Sequence, residues 1–140
     1  MKQELKEAID AGERALFSLG RAHKELKSAK TWGMVDLFGG GLIVDLIKRG
    51  RMKDAQRWMD EARKDLLIFE TELRDVDLAS QLDMQVDDFL TFADFFFDGM
   101  IADFLMHTRI AETKEKVEEA IERVTYLLAT LQEEYGRQIR

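Results

Sequence analysis

The sequence predicts an all-α fold, an antiparallel bundle of about four long amphipathic helices with coiled-coil-like packing. Three observations carry that expectation. The 140 residues contain no proline, the one residue that both lacks an amide hydrogen and clashes inside a helix. Strong helix formers (Ala, Leu, Glu, Lys, Arg, Met) recur throughout the chain. Apolar residues return in alternating steps of three and four, the spacing that keeps side chains on one helical face. A hydrophobic share of 46% gives residues 1–140 enough apolar surface for the core of a single domain.

Helix A, residues 4–30, carries Leu5, Ile9, Gly12, Leu16, Leu19, His23 and Leu26 on one face. Beside this stripe runs a row of small residues, Ala8, Gly12, Ala15, Ala22 and Ala29, which lets a neighbouring backbone approach closely. His23 sits in the stripe as a partly buried residue that fixes register. Gly33, the triplet Gly39-Gly40-Gly41 and Gly50 then predict a structured connection over residues 31–50, with a short helix over 42–49. Gly50 is expected to stop that segment before helix B.

Helix B steps through Met52, Ala55, Met59, Ala62, Leu66, Phe69, Leu73 and Val76 without an error. The stripe lapses over 77–83, where Ser80 followed by Asp83 resembles a helix start. Helix C, residues 83–107, is apolar round most of its circumference, which predicts a place in the middle of the packing. Helix D repeats the rhythm with Ile110, Thr113, Val117, Ile121, Val124, Leu128, Leu131 and Tyr135. A turn at His107-Thr108-Arg109 is expected between C and D.

The charge narrows the function classes. A net charge of -7 and a pI near 4.9 repel a phosphate backbone, and no basic stripe offsets that, so no nucleic acid is expected as partner. Between Arg74 and Arg109 there is no Lys or Arg, while eight aspartates fall in that interval. The absence of cysteine removes disulfides, thiolate metal sites and cysteine nucleophiles, and fits a cytoplasmic setting. The N-terminal residues show no apolar leader, and no apolar run approaches the roughly 20 residues of a membrane span.

If A and B are antiparallel and C runs back, Asp98, Gly99, Asp103 and His107 come to the same end as Trp32, Asp36, the triple glycine and Asp45. The structural reading of these aspartates is that short carboxylates accept bonds from Trp, backbone amides or the basic residues of helix A. The functional reading is a hard-cation site from Asp98, Asp103 and Asp36 or Asp45, with His107 beside them. No Glu stands three residues before either histidine, so the di-metal bundle pattern is missing. The triple glycine permits a close backbone crossing under Trp32 and Phe38, or an anion cradle. The P-loop spacing, the Gly-x-Gly-x-x-Gly fingerprint and the serine-hydrolase elbow are all absent. The phenylalanines between Phe92 and Phe104 are read first as core, and otherwise as lining for an apolar pocket or a seam with another subunit.

The run Trp32-Gly33-x-x-Asp36-x-x-Gly39-Gly40-Gly41, with Lys48 and Ala55-Gln56 after it, then Phe92-x-x-Phe95-Phe96-x-Asp98-Gly99 and Ile101-Ala102-Asp103, resembles a family of uncharacterised bacterial coiled-coil proteins. The resemblance covers most of the chain and implies a helical fold and a cytoplasmic setting. It implies no activity, cofactor or partner.

The residues therefore predict a non-enzymatic helical interaction or scaffolding domain, needing no cofactor and engaging protein partners, a homo-oligomer foremost. The end defined by Trp32, Gly33, Asp36, Gly39, Gly40, Gly41, Asp98, Gly99 and Asp103 is the candidate functional end. The alternative is a bundle that binds a small ligand or divalent cation there.

Overall fold

Small residues on one helix face decide how this chain packs. In the computed structural model, which describes residues 2–39, 42–76, 80–95 and 110–139 and the side chains of 2–27, 53–76, 85–95 and 112–139, the first helix, α1, spans Lys2–Gly39. The others are α2 (Leu42–Arg74), α3 (Ser80–Phe95) and α4 (Ile110–Gln138). Among the described residues there is no strand, and the fold is an all-α bundle. The 38 residues of α1 make a rod about 57 Å long at 1.5 Å per residue.

Cross-helix contacts fix the directions. Gly12 of α1 meets Phe69 of α2 and Leu128 of α4, whereas Ser18 reaches Asp65 and His23 reaches Glu118. Rising numbers on α1 meet falling numbers on both neighbours, so both run antiparallel to it. On α3, Phe92 lies under Arg123 of α4 while Gln85 and Phe89 lie beside Tyr126 and Leu127, again antiparallel. The topology is up-down-up-down.

The core follows the two predicted rows. Leu5, Leu19 and Leu26 are fully buried on α1, together with the small residues Ala8, Ala15 and Ala22. They meet Ala55, Met59, Ala62, Leu66 and Phe69 from α2, and Val117, Ala120, Val124 and Leu131 from α4. Gly12 is where the small row matters most. A Cβ there would stand 2.7 Å from Leu128 Cδ2 and 2.9 Å from Phe69 Cε1, so the α1 backbone sits against two large core side chains at once.

The structure corrects three expectations. The 31–50 connection is not a separate segment. α1 continues through Gly33 to Gly39, α2 begins at Leu42, and the expected short helix over 42–49 is simply the first turns of α2. Gly50 lies inside α2 rather than stopping the chain before it. The physical reason is that an isolated glycine costs a helix only about 1 kcal/mol relative to alanine, and without proline nothing forces a break. Helix C also starts earlier than position 83, at Ser80, and residues 96–109, with the expected C-to-D turn, lie outside the described residues. Among the described residues α1 packs along both α2 and α4, while the described part of α3 meets α2 and α4 over a shorter stretch; residues 96–107 of helix C, on which its expected central place rests, lie outside them. The small-residue row of α1 admits two close neighbours, and α3 turns Asp87, Asp88, Thr91 and Asp94 outward.

Candidate functional site

On the side of the bundle formed by α3 and α4, the apolar surface is not fully closed. Val86, Phe89 and Ala93 of α3 point into the core, and Phe92, about one turn round from them, comes to the α4 side half-buried. Rings step outward from the interior. Phe69 and Phe89 have centroids 5.3 Å apart at 59°, and Phe89 and Phe92 are 6.4 Å apart at 44°, both within the range of favourable ring pairs. Two adjoining hollows of about 390 and 530 Å³ flank this ladder and share Asp88 and Arg123 in their walls. Tyr126 lines the first and Phe95 the second, and each is 65% exposed.

The rim of this groove is acidic. Arg123 is its cation, but the guanidinium lies 4.5 Å over the Phe92 ring and 3.4 Å from Glu119 Oε1, so it is already engaged within the fold. Asp88 and Glu122 remain on the rim. Within the wall, Gln85 Oε1 is buried and has no hydrogen-bond partner among the described residues.

The opposite side, between α1 and α2, carries a ridge. Phe17 is 64% exposed and meets the half-buried Trp58 edge-on, with centroids 6.1 Å apart and planes at 78°. Arg21 and Arg57 lie 5.0 and 5.4 Å from the same indole. Arg21 Nε is buried without an acceptor among the described residues. Beside the ridge, Ser18 donates a hydrogen bond to Asp65 across the α1–α2 seam.

Two carboxylates sit where helices meet. His23 Nε2 of α1 is 2.9 Å from Glu118 Oε1 of α4, which ties the two helices in register, and Lys114 Nζ, on α4 itself, is 3.2 Å from the same oxygen. The His23 contact, first, and Lys114, second, hold the Glu118 carboxyl below its usual range. Glu70 is the reverse case. It is buried on α2, and desolvation, reinforced by the nearby Asp94 of α3, pushes its carboxyl up, although Arg74 lies 2.5 Å away and opposes the shift.

The sequence-predicted end fares differently. Trp32, Gly33, Asp36 and Gly39 lie on the continuous backbone of α1, and their side chains are outside the described set. Gly40, Gly41, Asp98, Gly99, Asp103 and His107 lie outside the described residues altogether. Of the polar line on helix C, Asp87, Thr91 and Asp94 are exposed, with Thr91 Oγ1 donating to the Asp87 carbonyl oxygen at 3.0 Å. Among the described residues no group of three or more His, Cys, Asp or Glu is placed to hold a metal ion, and no helix is long and apolar enough to cross a membrane.

Sequence reasoning passed over Trp58 and Tyr126, and took Arg21 only as one of the basic residues of helix A that could pair with aspartates. Each stands one or two positions off an apolar stripe, and only the angle between neighbouring helices shows that they edge a seam. No protein-family model matches the chain, and neither do the curated proteins or the solved structures with which it was compared.

Proposed function

We propose that the chain is a helical protein-interaction module whose α3–α4 groove receives a basic amphipathic helix. The observation that carries this reading is a groove with an aromatic floor and an acidic rim. Phe89, Phe92 and Leu127 floor it, and Phe95 and Tyr126 stand open at its edges. Residues 85–95 and 112–126 contain eight acidic residues against three basic ones. A trough between two antiparallel helices accepts a third helix through anchors at i, i+3, i+4 and i+7. An acidic rim favours lysine and arginine at the flanks of that helix and repels a second acidic surface.

Covering an exposed aromatic contributes roughly 1.5–3 kcal/mol, and the loss of freedom on association offsets much of that. The complex is accordingly weak and sensitive to salt. A synthetic helical peptide of leucine and lysine, with leucines at those four positions, is the direct probe. It is expected to bind with micromolar affinity at low salt and to lose about tenfold on Tyr126→Glu. Binding unchanged in that variant would remove the groove from consideration.

A further inference from the structure

We infer that Arg123 divides the α3–α4 groove into two compartments, so that the basic helix it admits must carry two apolar anchors one turn apart, at i and i+4. The inference rests on the groove reading above and adds the spacing that the partner must satisfy. Three observations support it.

The first is the position of the hollows. Gln85, Asp88 and Phe89 of α3 line the first, and Asp88, Thr91, Phe92 and Phe95 line the second. The centres of these two sets lie about four residues apart along the helix, roughly 6 Å at 1.5 Å per residue. On an incoming helix that is the rise from i to i+4, whereas the step from i to i+7 covers about 10 Å and overshoots the second hollow.

The second is the divider. Arg123 lines both hollows, so its side chain stands where they adjoin, and its guanidinium lies 4.5 Å over the Phe92 ring. It is 3.4 Å from Glu119 Oε1, longer than the usual charge-assisted hydrogen bond of about 2.7–2.9 Å. The ring, more than the carboxylate, therefore holds the planar fork in place. A ring face covered in this way takes no anchor, and the apolar surface left for a partner lies on either side of the guanidinium.

The third is charge. Among the described residues that line the two hollows, Arg123 is the one cation. It repels a lysine set between the anchors on the α4 side, whereas Asp88, on the α3 side of the same junction, attracts one. The partner is thus a helix with two bulky apolar residues one turn apart and its cations turned toward α3.

The probes are two synthetic alanine-lysine helices of one composition, whose two leucines stand at i and i+4 in one and at i and i+7 in the other. Binding is followed by NMR titration at low salt on wild-type protein, Arg123→Ala and Arg123→Gln, with circular dichroism to check retained helicity. Wild-type protein is expected to bind the i, i+4 helix about tenfold more tightly than the i, i+7 helix. Loss of the divider merges the hollows and removes a cation. Both variants are therefore expected to bind the two spacings alike, and to bind the leucine-lysine peptide at least as tightly as wild type does. Arg123→Gln, which keeps part of the stem and loses the charged fork, decides the matter if Arg123→Ala does not fold.

Wild-type protein that binds the leucine-lysine peptide but does not distinguish the two spacings overturns the inference and leaves the groove reading intact. Variants that keep the wild-type preference do the same. Wild-type protein that ignores every peptide overturns both.

Discussion

Along the α1–α2 and α1–α4 seams the contact residues are mostly alanine and leucine, with Gly12 at the point of closest approach. Along the α3–α4 seam they are phenylalanine, tyrosine and arginine. Both seams join amphipathic helices of similar character, yet the first is closed along its interior and hollow only at its polar edge, about 440 Å³ among Asp10, Glu13, Arg14, Phe17, Ser18 and Asp65, whereas the second is grooved over its aromatic residues. The difference shows what side-chain size does at the edge of an interface. Alanines let two backbones approach until the larger residues behind them interlock, which closes the interior of the seam. Rings set at the edge, such as Phe92, prop the helices apart and leave hollows on either side.

Removing the largest residue shared by these regions tests the contrast most severely. Phe69 is fully buried, stands against Gly12 in the sealed seam and stacks on Phe89, the innermost ring of the ladder. Phe69→Ala is expected to cost about 3–5 kcal/mol, the usual range for a core phenylalanine, measured by urea unfolding. Phe95→Ala, at the open edge, is expected to change stability by less than about 0.5 kcal/mol. Similar losses at the two positions would mean that the α3–α4 edge is as closed as the core.

Glycine substitution sharpens the same point within a single helix. Gly12→Ala gains up to about 1 kcal/mol of helix propensity. It also drives a methyl into Leu128 and the rigid Phe69 ring, an overpacking cost of about 1–3 kcal/mol. The net expectation is a loss of about 1 kcal/mol. Gly20 has nothing within 4 Å of its would-be Cβ, so Gly20→Ala keeps the propensity gain alone. Two identical changes eight residues apart in α1 should move the melting temperature in opposite directions.

The sealed seams were largely readable in advance. On helix B the stepping from Ala55 to Val76 names the buried face residue by residue. On helix D the row that includes Val117, Val124, Leu128 and Leu131 does the same. Periodicity works there because burial is complete and the stripe has one partner on each side. The glycine-rich stretch misleads for a reason of magnitude: Gly33 and Gly50 weaken helices of 38 and 33 residues by too little to break them. The groove is the harder case. A phenylalanine spaced for the core, such as Phe92, and one that ends exposed, such as Phe95, are distinguished only by which neighbours arrive and how closely. A linear stripe does not contain that distance. The residues assigned to the glycine-rich end, Asp98 and Asp103 among them, lie outside the described residues and contribute nothing to either side of the comparison.

The smallest effects come from the carboxylates that tie the two kinds of seam, and their signs differ. Glu70, between α2 and α3, has a folded pKa raised above 4.5, chiefly by burial. Between that value and its folded pKa the native state holds more proton than the unfolded chain, so stability falls as pH rises through the window. Glu70→Gln removes this loss. The variant is expected to match or trail wild type near pH 4 and to melt higher at neutral pH, because Arg74, the partner it forfeits, is largely exposed. Glu118, between α1 and α4, has a folded pKa below 4.5 because His23, first, and Lys114 favour its carboxylate. Its contribution is present above pH 4.5 and is lost as pH falls through the folded value. Glu118→Gln is therefore expected to lower the melting temperature slightly at neutral pH and to converge on wild type in acid. From pH 3 to 7 the difference in melting temperature from wild type should grow more positive with pH for Glu70→Gln and more negative for Glu118→Gln. Parallel curves would mean that the two carboxylates share one environment and that burial does not distinguish the α2–α3 contact from the α1–α4 contact.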